Sequence, residues 1–134
     1  MKITQLLCVS VFSLLAFNTA ITDYQWNLLR IEDTVSKRIL VPSADKPLLR
    51  FTKEHVYFKN CFEVSGRYSF ARSFELQLNL DSIKDTDCSL TERQINWYFR
   101  YRLKDVVYLL QHDTLQLRDK SGVNFVFVKA VTKK

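Results

Sequence analysis

Two cysteines, Cys61 and Cys88, and two histidines, His55 and His112, have the widest chemical range in this 134-residue chain. A cysteine nucleophile needs a lowered pKa and a neighbouring base, and no local pattern marks one. A structural zinc site gathers four ligands, usually in close C-x-x-C or H-x-x-x-H pairs, and neither pair here is close. A disulfide needs an even count and an oxidising compartment. A third cysteine, Cys8, lies in an N-terminal apolar run whose removal would leave the even pair. The expectation is therefore a Cys61–Cys88 bridge, with free thiols and a metal as the alternatives. Loop closure of this length stabilises a fold by about 3 kcal/mol. Asp85 and Asp87 are close enough for acid–base work, but beside Ser89 they read as acids at a helix N-terminus, where the dipole favours negative charge. With two glycines in all, the chain has no Gly-rich phosphate loop. No catalytic residue, metal site or cofactor is expected, and the chain does not read as an enzyme.

The compartment follows from residues 1–20, "MKITQLLCVSVFSLLAFNTA". Lys2 precedes an apolar run from Leu6 to Phe17, and Ala20 offers a small residue for cleavage. The run is shorter than the roughly 20 residues that span a bilayer. It reads as a signal peptide, and Cys8 stands too early to be a lipid-modified cysteine. Residues 21–134 then read as one domain with one core and no transmembrane segment, exported to the periplasm. The whole chain carries a formal charge of +6, and losing Lys2 leaves the domain with 19 basic and 14 acidic side chains. This modest excess favours anionic partners and also keeps a monomer soluble.

The elements that must position these residues are mostly strands. "YQWNLLRI" (24–31) suits a first strand with Tyr24, Trp26 and Leu28 on one face. "LLRFT" and "HVYFKN" read as a hairpin turning near Lys53-Glu54, and Ser65-Gly66 reads as the next turn. "FELQLNLD" alternates strictly, with Phe74, Leu76, Leu78 and Leu80 on one face. After Cys88 the period changes. Ser89 and Glu92 have capping-box spacing, and a helix of about 14 residues places Ile95, Phe99 and Leu103 together. "VVYLLQ" and "TLQLRD" form a hairpin at His112-Asp113, and "DKSG" turns into a last strand, "VNFVFVK". The fold class is mainly β (α+β): a small antiparallel curled sheet or partial barrel of seven or eight short strands, with one helix packed on it.

This order of features resembles the META domain, or HslJ-like, family of small exported bacterial proteins. The family pattern runs Gly-Cys-Asn-x-aromatic-Ser-Gly-x-Tyr, an alternating strand, a second cysteine, a helix and a closing hairpin. Cys61, Ser65, Gly66 and Tyr68 stand at the matching spacing, Cys88 falls at the second cysteine, and "YLLQHDTLQL" resembles the closing hairpin. Asn60, Phe62, Val64 and Lys84 depart from the pattern. The resemblance covers about residues 24–130. It implies the fold, the compartment and a link to envelope or heat stress, and it implies no established activity.

A binding role rests on the helix. At 100° per residue, Arg93, Trp97, Arg100 and Lys104 share one stripe opposite Ile95 and Phe99. An indole among cations suits an envelope protein or an anionic surface; the plain alternative is a solvated basic face. Arg102 interrupts the apolar side, so the helix ends there or its charged head snorkels. A second class is a periplasmic inhibitor or small ligand-binding barrel, like the lysozyme inhibitors, whose Ser-Gly-x-x-Tyr-like segment "VSGRYSF" resembles. Like-charge repulsion between a basic lysozyme and this basic domain weighs against it. Nucleic acid, suggested by "RQINWYFRYRLK", does not fit an exported protein.

Overall fold

A computed structural model describes residues 21–42, 47–72, 74–84 and 88–130. The leader, Cys8, Asp85 and Asp87 lie outside the described residues. The chain folds in the order β1 (Gln25–Asp33), β2 (Arg38–Leu40), β3 (Leu48–Phe51), β4 (His55–Lys59), β5 (Glu63–Phe70), β6 (Glu75–Lys84), α1 (Leu90–Tyr101), β7 (Asp105–Gln111), β8 (Thr114–Arg118) and β9 (Val123–Lys129). Every pairing is antiparallel, and β1 pairs with both β3 and β9. Eight strands thus close a barrel. The ninth, β2, is a short strand hairpinned onto the C-terminal half of β1.

Alternation makes the wall. Trp26, Leu49, Phe51, Val56, Phe58, Leu76, Tyr108, Leu115, Phe125 and Phe127 point inward and are buried. Each such aliphatic or aromatic side chain contributes about 1.5–3 kcal/mol when fully removed from water. Two irregularities reset the period. In β1 the inward residues are Trp26 and Leu28, then Ile31 and Asp33, because Leu29 is an extra residue facing β9 between Leu28 and Arg30. In β6 Asp81 plays the same part, since Ser65 pairs with Ser82 but Gly66 pairs with Leu80. Bulges of this kind bend and twist a strand, as closure of a small barrel requires.

The helix packs one face on the barrel core and leaves the other exposed. Phe99 stacks on Phe58 of β4 with ring centroids 3.9 Å apart and meets Phe125 of β9 edge-on at 5.4 Å. Ile95 and Leu103 are buried beside it, as the period of the sequence predicts. The Ser89 hydroxyl accepts from the Glu92 N–H at 3.4 Å, which supplies the expected N-cap. The Glu92 carboxylate, buried, accepts from the Asn60 side-chain amide. Cys61 and Cys88 form a disulfide with Cα atoms 5.7 Å apart. The bridge and the Asn60–Glu92 bond therefore tie the same two segments, the β4–β5 turn and the helix N-terminus.

Several expectations change. Ser65-Gly66 is not a turn but the middle of β5, and the chain turns at residues 60–62, where Asn60 N–H donates to the Phe62 carbonyl. Tyr24 precedes β1 and stays exposed, with the Lys129 ammonium 3.7 Å from its ring centre. Phe74 also precedes its strand, in a left-handed conformation (φ 64°), and is exposed. The helix has 12 residues rather than about 14.

Candidate functional site

Arg102 caps the helix: its N–H donates to the Tyr98 carbonyl at 2.8 Å. Its guanidinium lies over the Trp97 ring, 5.8 Å from the centroid, and reaches Asp119 at 3.4 Å and the Ser121 hydroxyl. Lys104 consequently falls beyond the helix, where its carbonyl accepts from the Leu78 N–H at 2.7 Å. The stripe expected from helical spacing is thus shortened to Arg93, Trp97 and Arg100, and the cation beside the indole is Arg102. Trp97 is 47% exposed and packs against Tyr98 and Tyr101, with ring centroids at 5.0 and 5.5 Å.

A cleft of about 450 Å³ separates this part of the helix from the β1–β2 hairpin. Arg93, Gln94, Trp97 and Tyr98 line the helical wall, and Asp33, Ser36 and Arg38 line the other. The Arg93 Nε donates to the Cys88 carbonyl at 3.1 Å. The floor is a fixed polar pair. The Tyr98 hydroxyl donates to Asp33 Oδ2 at 2.7 Å, while the Ser36 N–H donates to Oδ1 at 3.3 Å. The Tyr98 hydrogen bond holds the Asp33 carboxyl below the usual carboxylate range, against a burial that leaves it 6% exposed and pushes the other way. Burial, and then the Asp33 bond, push the Tyr98 phenol above its ordinary value. The one acid in the cleft is therefore committed to its neighbours, and Arg38 and Arg93 set the sign offered to a ligand.

The family-motif residues lie elsewhere, on β5. A Cβ at Gly66 would stand 2.1 Å from the Asn79 carbonyl oxygen, so the glycine lets β5 and β6 approach at the bulge. The Tyr68 hydroxyl donates to the Thr52 carbonyl and lies 3.3 Å from that of Lys53, which pins the β3–β4 turn. His55 begins β4 and His112 sits in the β7–β8 turn (φ 52°), so the two histidines serve different strands. Among the described residues no three His, Cys, Asp or Glu side chains gather as metal ligands. No helix among them is long and apolar enough to cross a membrane.

Sequence reasoning found Trp97 and Arg93 but not Arg38, Asp33 or Ser36. No periodicity links a three-residue strand to a helix more than fifty positions later. The one available signal was the Asp-x-x-Ser spacing of a turn at residues 33–36.

No protein-family model and no curated protein matches the chain. Among solved structures it is similar to a protein from Burkholderia xenovorans determined by NMR, with a TM-score of 0.69 and 18% sequence identity. The match covers 87% of this chain and 88% of that one. At that identity the likeness is one of fold.

Proposed function

We propose that this is an exported, non-enzymatic protein of the META/HslJ-like type that acts in the cell envelope, in a stress-linked role. In this reading it binds an acidic partner protein through the cleft between α1 and the β1–β2 hairpin. The observation that carries the reading is the half-exposed Trp97 between Arg38, Arg93 and Arg102. Trp and Arg are the side chains most enriched at binding hot spots, because each combines contact area with a fixed polar group. The hairpin wall also leaves Val35 and Ile39 largely exposed, at 77% and 65%, which supplies apolar contact beside the charges. The barrel interior is filled by Trp26, Phe58, Phe62, Phe99, Phe125 and Phe127, so binding belongs on the outer surface. The Cys61–Cys88 bridge suits an oxidising compartment.

The test is photo-cross-linking in intact cells from a probe at Gln94, on the helical wall. The expected result is a defined adduct that disappears in Arg38→Glu and in Trp97→Ala and survives Arg67→Glu on β5. An adduct that ignores Arg38→Glu and Trp97→Ala would reject the cleft as the binding site. Lysozyme as the captured protein would instead establish the inhibitor reading.

A further inference from the structure

A second concavity, of about 470 Å³, lies on the outer wall of the barrel and shares no residue with the helix cleft. It is built by register. One cross-strand row runs Gln25, Arg50, Tyr57, Ser65 over β1, β3, β4 and β5. The neighbouring row runs Leu48, Lys59, Glu63, Lys84 over β3 to β6. The groove between them crosses five strands, on the order of 19 Å at the usual strand spacing. Three cations face it against one carboxylate, and that carboxylate, Glu63, is 3.9 Å from Lys59. The Arg50 guanidinium lies 5.3 Å from the centre of the Tyr57 ring, which is 39% exposed.

We infer that this groove binds a linear acidic glycan, one whose sugars carry carboxylates. The polarity and direction of the groove decide among anionic polymers. Its floor strands are paired on both sides, so an extended peptide laid across them finds no free strand edge to add to. A ligand meets side chains alone. The Gln25 amide and the Ser65 hydroxyl can each donate and accept, which matches sugar hydroxyls. The half-exposed Tyr57 ring offers apolar contact to a sugar beside the Arg50 guanidinium, and Arg50, Lys59 and Lys84 answer carboxylates spaced along a chain. Small barrels elsewhere use an outer sheet face for oligosaccharides in the same manner. The inference draws on the exported reading only for where such a glycan would be met.

The probe is hexagalacturonate, titrated into the mature protein by calorimetry, with cellohexaose and hexaglutamate as the neutral and peptide comparisons. Hexagalacturonate should bind in a salt-sensitive way, with both comparisons at least about tenfold weaker. Tyr57→Ala and the double variant Lys59→Glu/Lys84→Glu should each weaken it by about tenfold or more at unchanged melting temperature, while Trp97→Ala leaves it alone. All four positions are at the surface, so these variants should fold. Equal binding of hexaglutamate would make the groove a general acidic-polymer site and overturn the glycan assignment. Loss in Trp97→Ala, or no binding of hexagalacturonate, would overturn the site itself. Failure of the cleft cross-linking leaves this titration unaffected, so the two ideas fail separately.

Discussion

Gly66 shows how a single residue's role depends on what faces it. Its hydrogen is all that fits against the Asn79 carbonyl, where a Cβ would come within 2.1 Å of the oxygen. Backbone cannot swing aside as a side chain can, so Gly66→Ala should cost about 3 kcal/mol, the upper end for overpacking. Urea unfolding of the two purified proteins measures it. A sequence reader sees a glycine after a serine and assigns a turn, since positive φ is the commoner reason for glycine; close approach leaves no mark in one sequence. Asp33 and Tyr98 carry a second prediction. Asp33 has a lowered folded pKa, so its contribution to stability is full above its unfolded value, about 3.9, and is lost as pH falls through the folded value. Tyr98 has a raised one, so its contribution is full below about 10 and is lost as pH rises through the folded value. The stability gap between wild type and Tyr98→Phe should therefore be flat from about pH 5 to 9 and narrow at both ends. Chemical denaturation across that range gives the curve, and a gap independent of pH would contradict the pairing.

At the scale of elements, the helix is held to the sheet at its first turn by a covalent bridge and by the Asn60–Glu92 bond. Cys61→Ser with Cys88→Ser should lower stability by about 2–5 kcal/mol, the usual loss for a small secreted domain. The variant should also release the start of the helix before the barrel, so amide exchange at residues 90–94 should accelerate more than in β8 or β9. The strands β3, β4, β7 and β8, and β6 as far as its bulge, were legible because they alternate where they pair, whereas the middle of β5 was taken for a turn. The eightfold closure was not, because it depends on β1 pairing with both β3 and β9, a contact no local pattern reports. The bulge at Leu29 hid which residues of the second half of β1 face inward, since one added residue moves the apolar period from even to odd positions. The strand β2 was missed because Arg38-Ile39-Leu40 sits in a charged segment and buries only Leu40. The helix was found from its cap and period, but its end was set by tertiary structure. Leu103 turns into the core, and Arg102 is drawn to Asp119. That one change moved Lys104 off the expected face, and Arg38 of the β2 hairpin lines the opposite wall of the cleft.

For the whole molecule, Ile21 sets a limit on any N-terminal processing. It is fully buried, and its carbonyl accepts the Trp26 indole N–H at 3.1 Å. A cut beyond it would take an aliphatic side chain out of the core and leave a buried donor unpaired, so the mature N-terminus should lie at Ile21 or a few residues before it. Osmotic shock should release the protein, and intact-mass measurement gives the cut. A lipid-modified N-terminus would reject the soluble exported form. The seam between the first and last strands has a further consequence, in time rather than in space. Trp26 pairs with Lys129 and Asp33 with Val123, so the barrel closes between the two ends of the domain. Such closure carries the largest loop entropy in the fold and comes late. A chain still being made has β1 but not β9, and β1 then presents an open ladder to any other strand it meets. The protein is therefore most prone to aggregate while it lacks its final strand, Val123–Lys129, and a carrier that shields β1 until release would be acting on the moment of greatest risk.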